Sequence, residues 1–582
     1  MKDVRVNPFK CKACWNSEPG FRCVVPNAAL YDIFRSQQKI RSGGSRKMPI
    51  PPCVAACPAN ICVQGYVGLT AAGLYDQAYR LIRSRVPFPH TLSLVCPQPC
   101  EGHCIHVNNG QPIAINALKR FVAERAVGRI RRKFLDELKS SIVGNGMSIA
   151  VVGAGPAGLT AAHDLRLRGY SVTVYEALEN PGGMLYAGIP AFRLPRSVLD
   201  QEIKEILELG IELKTGVRIG QDIPVEELWK GHSAIFLAAG AHHGGMLKIP
   251  GAEAEGVMDA LKFLREVNRG GRPRVGPRVA VIGGGDSALD AARVARRLGA
   301  EEVSLCYRRS RIEMPAHPDQ VEQAEAEGIE IIEQAAPIRF LTQNERLISL
   351  ESVRMELGAL DGSGRRRPIP IPDSNFTVGI DTALVAIGQR PDSRFLKDLG
   401  LILDHRGWVE VGGLGMTSVE RLFAGGDLVS GPSTVIEAIA AGKRAAGAID
   451  RYLRGETAKA ATFHTPHELK NVERYKPSHV SERVKTAQRD PSKRVSDFHL
   501  VDLGLTEMQV QAEARRCLVC GLCANCNACV DTFACPALLV SETGKIVIDG
   551  VLCNECGICA QLCPNDAIEV IEVEREEAVG AR

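Results

Sequence analysis

The middle of the chain alternates short apolar runs with segments of helical periodicity. Residues 148–152 form an apolar run of strand length, a helical pattern follows as far as Leu167, and a second strand-like run covers residues 171–175. The same order recurs with runs at 279–282 and 303–307, on either side of a helical pattern that ends at Arg297. Strands that alternate with helices in this way predict two α/β domains with parallel sheets.

Two later apolar runs predict how these domains are connected. They lie within residues 383–388 and 422–427, and both are expected to be strands that return to the first sheet. The second α/β domain would then be inserted in the first. Before both domains, the stretch from Leu69 to Ile82 has helical periodicity.

A glycine-rich turn joins the first strand-like run to its helix. The turn reads Gly153-Ala154-Gly155-Pro156-Ala157-Gly158, and Glu176 ends the next strand-like run. In a dinucleotide-binding domain the first glycine permits the tight turn, the second lets the backbone approach the pyrophosphate, and the third allows close packing of helix on strand. Glu176 is placed to accept hydrogen bonds from the adenosine ribose. A glycine-rich motif alone is weak evidence, but this complete pattern predicts a Rossmann-like domain.

The second α/β domain has a similar turn with a different strand end. The turn contains Gly283, Gly284, Gly285, Asp286 and Ser287. Arg308 and Arg309 stand where the first domain has its ribose-binding acid. A guanidinium suits a 2′-phosphate that a carboxylate would repel. The pattern favours NADP(H) over NAD(H), and the alternative is that both arginines are merely solvated.

Ten of the twenty cysteines lie after residue 516 and have iron–sulfur spacing. They form two runs: Cys517, Cys520, Cys523, Cys526, Cys529 and Cys535, then Cys553, Cys556, Cys559 and Cys563. In the ferredoxin spacing of the second run, three cysteines bind one 4Fe-4S cluster and the fourth crosses to its neighbour. One predicted ligand set is Cys553, Cys556, Cys559 and Cys535, and the other is Cys523, Cys526, Cys529 and Cys563. Cys517 and Cys520 are left over, either as spare thiols or as alternative ligands. Zinc is disfavoured because zinc sites usually have four ligands in two pairs, whereas these runs have three closely spaced cysteines followed by Cys-Pro.

Nine further cysteines precede residue 105: Cys11, Cys14, Cys23, Cys53, Cys57, Cys62, Cys96, Cys100 and Cys104. The blocks 53–58 and 96–104, with the segment 112–118, resemble the N-terminal cluster domain shared by the glutamate synthase small subunit and dihydropyrimidine dehydrogenase. The resemblance implies a helical fold with two 4Fe-4S clusters. One would be held by Cys53, Cys104, Cys11 and Cys14, and the other by Cys57, Cys96 and Cys100.

Lys119 occupies the place of a Glu or Gln ligand in that family. Because an ammonium has no lone pair for iron, Cys62 and Cys23 are the alternatives for the fourth ligand. A disulfide framework is disfavoured in so long a chain without an export signal.

The two α/β domains resemble the glutamate synthase small-subunit family of FAD oxidoreductases over about residues 50 to 450. The resemblance rests on the motifs at 181–185, 188–190, 307–310, 313–315 and 424–427. It implies cofactor contacts from Gly182, Gly183, Met184, Val217, Gly240, Gly388, Gly426, Asp427, Thr434 and Val435. Asp427 would contact the flavin's ribityl or phosphate region, and the segment 433–435 would cap the ring. The alternative role for Asp427 is that of a helix-capping or turn residue.

Composition narrows the class of protein. A chain of 582 residues with 45% hydrophobic residues and a formal net charge of +4 is expected to form several soluble domains. No apolar stretch reaches the roughly eighteen residues of a membrane span, and no basic cluster with interleaved aromatics indicates nucleic acid binding. The first residues lack an apolar signal core, so we expect a cytoplasmic location. Between residues 105 and 516 the only cysteine is Cys306, which excludes a redox cysteine pair beside a flavin.

These motifs predict the domain organisation. We expect a helical iron–sulfur domain at 1–145, an FAD domain at 146–255 and 379–455, an inserted NAD(P)H domain at 256–378, a linker at 456–510 and an α+β ferredoxin domain with two 4Fe-4S clusters at 511–582. The segment from Cys535 through residues 544–549 to Cys553 resembles the ferredoxin module of indolepyruvate ferredoxin oxidoreductases.

The predicted function is electron transfer between NAD(P)H and a partner catalytic subunit or ferredoxin, through FAD and about four 4Fe-4S clusters. No side chain is assigned a catalytic role, because hydride passes directly to FAD. Candidate partners are a 2-oxoacid oxidoreductase, the glutamate synthase large subunit, a formate dehydrogenase or a hydrogenase. The alternatives are a glutamate synthase small subunit, a flavin-based electron-bifurcating subunit and a non-enzymatic iron–sulfur scaffold. Bleaching of the flavin by NADPH would exclude the scaffold.

Overall fold

The computed structural model describes residues 2–6, 51–126, 128–362, 364–456, 482–518, 537–540, 546–548, 559 and 568–572. Strand β1 (Lys2–Val6) comes first. The next described segment is a domain of short helices: α1 (Pro52–Ala55), α2 (Val63–Ala71), α3 (Tyr75–Arg83), α4 (Pro89–Val95), α5 (Pro99–Gly102), α6 (Ile115–Arg125) and α7 (Arg129–Ser141), with a 3-10 turn at Ile105–Asn109. Proline in the first turn of α1, α4 and α5 favours helix initiation, since its missing N–H has no partner there anyway.

The helical pattern from Leu69 to Ile82 is two helices and not one. Gly73, with φ +74°, adopts the left-handed conformation after α2. Because glycine takes this conformation without steric cost, the chain turns there and α3 starts two residues later. The core of the domain includes Tyr66, Tyr79 and Phe88, whose side chains are at most 1% exposed.

The first α/β domain contains a five-stranded parallel sheet. Its strands are β2 (Ser148–Val152), β3 (Ser171–Tyr175), β4 (Glu212–Lys214), β5 (Ala234–Leu237) and β16 (Leu422–Ala424), in the spatial order β16-β5-β2-β3-β4. Its helices are α8 (Pro156–Leu167), α9 (Met184–Ala187), α10 (Arg196–Leu207), α11 (Val225–Gly231), α16 (Asp427–Ser430) and α17 (Val435–Leu453). Ile149 to Val152 are all buried, as expected for a central strand.

The second α/β domain has its own five-stranded parallel sheet. Its strands are β7 (Val257–Asp259), β8 (Arg278–Ile282), β9 (Glu302–Cys306), β10 (Ile329–Ile332) and β14 (Thr382–Val385), in the order β10-β9-β8-β14-β7. Its helices are α12 (Ala260–Asn268), α13 (Asp286–Arg297) and α14 (Pro318–Ala326). The short antiparallel pair β6 (His243–Gly244) and β15 (Gln389–Arg390) lies where the chain enters and leaves this domain. α15 (Ser393–Asp398) follows.

The predicted place of one strand is wrong. Residues 383–385 belong to β14, which pairs with β8 and β7 in the second sheet, so only β16 returns to the first sheet. Ala383 pairs with Ala280 on one side and Val257 on the other. A buried parallel strand has similar apolar composition in either sheet, so its sequence does not identify its neighbours. The inserted α/β domain itself agrees with the predicted fold class.

An antiparallel three-stranded sheet precedes β14. It consists of β11 (Ala335–Gln343), β12 (Arg346–Leu360) and β13 (Arg366–Gly379), with β12 in the centre. Phe340 and Leu350 pair across β11 and β12 and are buried beneath the sheet. This sheet lies inside the predicted NAD(P)H domain and adds a third layer to it.

The predicted linker is folded from residue 482 onward. This C-terminal segment, residues 482–518, contains β17 (Ala487–Gln488), α18 (Pro491–Arg494), β18 (Asp502–Gly504) and α19 (Glu507–Arg515). Val501 donates its N–H to the Phe192 carbonyl, and α19 packs against α2 and α6. Residues 457–481 of the predicted linker lie outside the described residues.

Three short strands lie after residue 537. They are β19 (Leu538–Val540), β20 (Ile546–Ile548) and β21 (Ile568–Glu572). β19 and β20 form an antiparallel pair, and β1 pairs antiparallel with β21, so the two ends of the described chain are joined. None of the described helices combines the length and apolar content needed to cross a bilayer.

Candidate functional site

The first glycine-rich turn has the geometry of a pyrophosphate cradle. Gly153 has φ +106°, and an added Cβ would lie 2.4 Å from the Ala238 carbonyl oxygen. A Cβ on Gly158 would lie 1.9 Å from the Gly153 oxygen, so α8 packs directly on the turn. Gly155 caps α8, and the nearest atom to its missing side chain is the Gly183 Cα at 3.9 Å. The N-terminus of α8 is therefore open to a phosphate group.

Glu176 lies beside this turn, as the sequence predicts. Its carboxylate accepts the N–H of Ala154 at 2.7 Å and that of Leu178 at 2.8 Å. Burial raises the pKa of Glu176, and these N–H groups oppose that rise. Each carboxylate oxygen has two lone pairs, so both retain acceptor capacity for ribose hydroxyls.

The predicted flavin-contacting segment faces the same cleft from the other side. Asp427 begins α16 and its Oδ1 accepts from the Ser433 N–H at 3.2 Å and from the Ser433 hydroxyl at 2.8 Å. Burial raises the pKa of Asp427. Thr434 caps α17 through a reciprocal capping box with Glu437. Asp427 thus stabilises the turn that leads into α17, and both Thr434 and Val435 line the cleft.

One continuous cleft of about 3660 Å³ connects the two α/β domains with the cysteine-bearing loop of the helical domain. The predicted cofactor residues that line it are Gly153, Gly155, Pro156, Ala157, Glu176, Gly183, Met184, Val217, Gly240, Gly283, Gly284, Gly285, Asp286, Ser287, Arg308, Arg309, Gly388, Gly426, Asp427, Thr434 and Val435. Ala154, Gly158 and Gly182 are predicted contacts that are buried and do not line the cleft. Gly158 and Gly182 serve packing there.

The second glycine-rich turn repeats the first in outline. A Cβ on Gly283, whose φ is +148°, would lie 2.3 Å from the Ala386 oxygen. A Cβ on Gly284 would lie 2.5 Å from the Tyr307 ring. Asp286 begins α13, and its carboxylate accepts the His317 N–H at 3.2 Å. The turn leaves the start of α13 open to the cleft, which fits a second dinucleotide.

The two arginines of the predicted 2′-phosphate site have different surroundings. Arg309 is 4% exposed, and its guanidinium donates to the Arg366 carbonyl at 2.8 Å and to the Asp361 carboxylate at 2.5 Å. Arg308 is exposed at the cleft and makes no ion pair with any described residue. Arg308 is therefore the member of the pair that can meet a phosphate without losing an existing partner.

Sequence reasoning missed an ion pair between the two α/β domains. Arg193 Nη1 lies 2.6 Å from Asp290 Oδ2, and both residues line the cleft. The Asp290 side chain is buried and that of Arg193 is partly buried. Asp290 Oδ1 has no hydrogen-bond partner among the described atoms. Burial raises the pKa of Asp290 to about 6, against the effect of Arg193. The sequence feature that could have predicted this ion pair is Asp290, an acidic residue among the buried apolar residues of α13.

The structure brings together the cysteines predicted for one N-terminal cluster. Burial raises the pKa of the Cys57 and Cys100 thiols, and the proximity of Cys96 raises both pKa values further. The Lys119 ammonium, itself buried, lowers both pKa values. Lys119 thus lies next to these cysteines, where its charge would stabilise thiolates and an anionic cluster. Cys96 also lines the cleft.

Cys53 and Cys104 come from the same helical domain. Cys53 lies on α1, which contacts α5, the helix that leads to Cys104. Burial raises the pKa of the Cys104 thiol, while the N–H groups of Ile113 and His106 lower it. A thiolate that accepts backbone N–H bonds is a suitable iron ligand.

Cys62 has a different environment from the other cysteines of the helical domain. It is fully buried at the start of α2, where its sulfur lies beside Gly65 and close to Leu81. Across the described ranges, no three His, Cys, Asp or Glu side chains gather closely enough to hold a single metal ion. A cubane does not require that arrangement, because its four ligands bind different irons.

Most of the remaining predicted ligands lie outside the described residues. They are Cys11, Cys14, Cys23, Cys520, Cys523, Cys526, Cys529, Cys535, Cys553, Cys556 and Cys563. Cys517 and Cys559 are described, and Cys559 is buried. The ligand assignments of the C-terminal run stay predictions.

An interdomain cap positions the cysteine loop at the cleft. Glu202 on α10 is fully buried and accepts the N–H groups of His90 and Thr91 at 2.7 and 2.8 Å. These are the first N–H groups of α4, whose other end is Cys96. Capping by a carboxylate stabilises α4 and ties Cys96 to the first α/β domain.

Comparison with protein families gives three matches along the chain. Residues 147–442 match the family described as pyridine nucleotide-disulphide oxidoreductase. Residues 37–129 match dihydropyrimidine dehydrogenase domain II, 4Fe-4S cluster, and residues 546–569 match the 4Fe-4S binding domain.

Curated proteins are similar over most of the chain. The NADP(+)-dependent formate dehydrogenase subunit beta of Moorella thermoacetica is 39% identical, with 81% of this chain and 70% of that protein covered. The NADPH-Fe(3+) oxidoreductase subunit beta of Geobacter sulfurreducens is 38% identical over 81% of this chain and 75% of its own length. The glutamate synthase [NADPH] small chain of Azospirillum brasilense is 33% identical, with 70% of this chain and 87% of that protein covered.

Proposed function

Because the chain belongs to the pyridine nucleotide-disulphide oxidoreductase family, we propose that its cleft passes electrons from NADPH to FAD and on to the N-terminal clusters. The protein is an FAD-dependent NAD(P)H oxidoreductase with 4Fe-4S clusters, and it acts as an electron-transfer subunit. This confirms the family, the kinds of cofactor and the function predicted from the sequence, whereas the number of clusters stays a prediction. The order of the carriers and the residues that hold them are our proposal.

The single observation that carries the proposal is the shared cleft. Both glycine-rich turns open into it, and so does Cys96 at the end of α4. A bound flavin accepts two electrons as hydride and releases them one at a time, as iron–sulfur clusters require. The cleft therefore offers room for a two-electron donor, a converter and a one-electron acceptor in sequence.

The chain's own residues would hold the two dinucleotides at opposite ends of this cleft. Gly155 and the N-terminus of α8 would receive the FAD pyrophosphate, with Glu176 on the adenosine ribose. Gly285 and the N-terminus of α13 would receive that of the coenzyme. We further propose NADPH as the coenzyme, because the exposed Arg308 can pair with a 2′-phosphate.

We propose that the electrons leave toward a separate catalytic subunit. The relatives named above as beta or small chains support a partner subunit, and two of their names specify formate dehydrogenase and glutamate synthase. Of the partners predicted from the sequence, a formate dehydrogenase has the support of the relative with 39% identity. A 2-oxoacid oxidoreductase, a glutamate synthase large subunit, a hydrogenase and ferredoxin are the other candidates.

The test is anaerobic reduction of the purified holoprotein. We expect NADPH to bleach the flavin absorbance and then to produce the EPR signal of reduced clusters, and NADH to do so more slowly. A flavin that stays oxidised with both coenzymes would contradict the function. Co-purification from the source cells identifies the partner, and a lone chain under mild conditions would contradict the subunit role.

A further inference from the structure

We propose that Cys517 is a ligand of the same iron–sulfur cluster as Cys53 and Cys104. That cluster would then be built from two regions of the chain that are more than 400 residues apart in sequence. The inference rests on the proposed function only in that it requires the N-terminal clusters to exist. It differs from the ligand set expected from family resemblance, in which Cys11 and Cys14 complete the cluster.

The first support is the attachment of the segment just before Cys517. Glu513 on α19 is fully buried, and its two carboxylate oxygens accept the N–H of Ala114 at 2.8 Å and of Val484 at 2.9 Å. Arg516 completes its partners, with Nη1 at 2.6 Å from Glu513 Oε1. A buried charge is costly unless it is paired and hydrogen-bonded. A fully satisfied buried carboxylate therefore indicates that this attachment is specific.

The second support is the place where the segment attaches. Arg516 donates through Nη2 to the Gln111 carbonyl at 2.7 Å, and its own carbonyl lies 3.0 Å from His106 Nε2. His106 is two residues after Cys104, and its backbone N–H points at the Cys104 sulfur. Since neighbouring Cα atoms are about 3.8 Å apart, Cys517 enters directly beside the Cys104 loop.

Local charge is consistent with a cluster at this point. The hydrogen bond from Arg516 to the Gln111 carbonyl places a guanidinium beside the Cys104 loop. Cysteine ligands of iron are thiolates, so a neighbouring guanidinium stabilises both the ligands and the bound cluster. Cys517 and Cys104 also pack against the same hydrophobic core as Cys53.

The third support is the count of ligands. The two C-terminal clusters use eight of the ten cysteines after residue 516 under the ferredoxin rule, and Cys517 is outside that set. Among the described cysteines of the helical domain, Cys57, Cys96 and Cys100 are assigned to the other cluster, so Cys53 and Cys104 supply two of the four ligands that a cubane needs and Cys517 would supply a third. A cysteine outside the two ferredoxin ligand sets thus lies where two ligands of another cluster are already assigned.

A double-substitution experiment on the full holoprotein tests whether Cys517 and Cys104 serve one cluster. The variants are Cys517→Ala, Cys104→Ala and the combination of both, purified without oxygen. Iron and acid-labile sulfide per FAD are measured, together with the EPR spectrum after dithionite reduction. We expect each single variant to lose about four irons and the double variant to lose the same four, because a cluster can be lost only once.

Two results would overturn the proposal. Cys517→Ala with the iron content and EPR spectrum of the unaltered protein would show that the thiol is spare. A double variant that loses about eight irons would place the two cysteines in different clusters. Cys306→Ala is the matched control, since Cys306 is buried in β9 with its thiol on the Ala335 carbonyl, and its iron content should be unchanged.

A second variant is used if Cys517→Ala does not fold. A flavin measurement then distinguishes failure of this proposal from failure of the proposed function. If Cys517→Ala loses all its FAD as well, Cys517→Ser replaces it as a milder change that keeps the size of the side chain but removes the thiol. Loss or alteration of the same EPR component in Cys517→Ser is then expected, and an unaltered component at full intensity would count against the ligand. Flavin bleaching by NADPH is recorded in each sample, so a failure of hydride transfer is read independently of the iron count.

Discussion

Arg308 and Arg309 are adjacent in sequence but differ in surroundings. The guanidinium of Arg309 is buried and bonded to Asp361 and to a backbone carbonyl. Arg308 is exposed at the cleft. A charged group that already has buried partners is costly to redirect, so the coenzyme's phosphate is expected to meet Arg308.

We predict that Arg308→Ser lowers kcat/KM for NADPH at least about tenfold and leaves that for NADH nearly unchanged, because a charge-assisted hydrogen bond contributes about 1.5–3 kcal/mol. Steady-state kinetics with an artificial acceptor measures both values. Arg311→Ser is the control, since Arg311 is exposed and paired with Glu325. Equal losses with both coenzymes would mean that Arg308 does not recognise the 2′-phosphate.

His163 makes a pH-dependent contact between the helical domain and the first α/β domain. Arg83 Nη1 donates to His163 Nε2 at 3.0 Å, so the imidazole is neutral and donates from Nδ1 to Asp164 at 2.8 Å. Burial lowers the pKa of His163 to about 4, with the Arg83 charge acting in the same direction. The Lys443 ammonium and the His163 ring hold the pKa of Asp164 below its usual range, although burial opposes this.

The folded protein is therefore predicted to lose stability as the pH falls from 6.5 to 4. In that range His163 is protonated in the unfolded chain but stays neutral in the folded chain. The free energy of unfolding is therefore expected to fall by about 2 kcal/mol between pH 7 and pH 5. Urea unfolding at both pH values measures the change. His163→Gln should reduce the pH dependence of the free energy of unfolding. His103→Gln, a change at an exposed histidine, is the control. Equal pH dependence in His163→Gln and the unaltered protein would contradict the assignment of this effect to His163.

At the scale of elements, the contact of α17 with α8 determines the shape of the first turn. A Cβ on Gly442 of α17 would lie 2.2 Å from the Ala157 oxygen, and Ala157 belongs to the FAD-type turn. Gly447, five residues further along the same helix, has no atom within 4 Å of such a Cβ. Alanine substitutions at these two glycines therefore distinguish the effect of close packing, present at Gly442 alone, from the effect of helix propensity, which both share.

We expect Gly442→Ala to destabilise the protein by about 1–3 kcal/mol and to weaken FAD retention, because α17 must move away from the turn. Gly447→Ala should be neutral or stabilise by up to about 1 kcal/mol, since alanine is the better helix former. FAD content after gel filtration and the thermal midpoint test both. Full FAD retention by Gly442→Ala would show that the helices separate without disturbing the turn.

At the scale of the molecule, the segment 482–518 connects the helical domain to the second α/β domain. Arg297 donates to the Asp497 carbonyl at 3.0 Å, and it shares the fully buried Glu327 with Arg293. Arg494 from the segment reaches within 4.0 Å of the same carboxylate. The range predicted as a linker is thus, in its described part, an attachment between domains.

Glu327→Gln is predicted to lower the free energy of unfolding by about 3–5 kcal/mol, because it leaves buried guanidinium groups without a counter-charge. Limited proteolysis should then cut within 482–518 faster than in the unaltered protein. Glu330→Gln, an exposed change on neighbouring β10, is the control. Unchanged cleavage in Glu327→Gln would show that this ion cluster does not secure the segment.

Iron analysis of protein purified without oxygen should give about sixteen irons per chain, from two clusters near each end. The reason is that each cysteine-rich region has enough thiols for two cubanes. A value near eight would mean that one of the two regions does not assemble clusters as predicted. The ratio of iron to FAD corrects for incomplete loading.

The sequence alone determined the features that depend on neighbours along the chain. Strand, turn and helix around Gly153 and Gly283 are local, since backbone sterics and hydrophobic periodicity specify them within about thirty residues. The spacing of the cysteines likewise predicted iron–sulfur chemistry, because three of the four ligands of a ferredoxin-type cubane lie on one short loop.

Only the tertiary structure decided which distant segments meet. The sheet that receives β14, the buried partner of Arg309 and the attachment of Glu513 beside Cys104 all join residues that are far apart in sequence. A buried strand has the same apolar pattern in either sheet, and a charged residue in a sequence gives no sign of a partner hundreds of residues away. Pairings of this kind depend on the packing of whole domains, which periodicity and spacing do not encode.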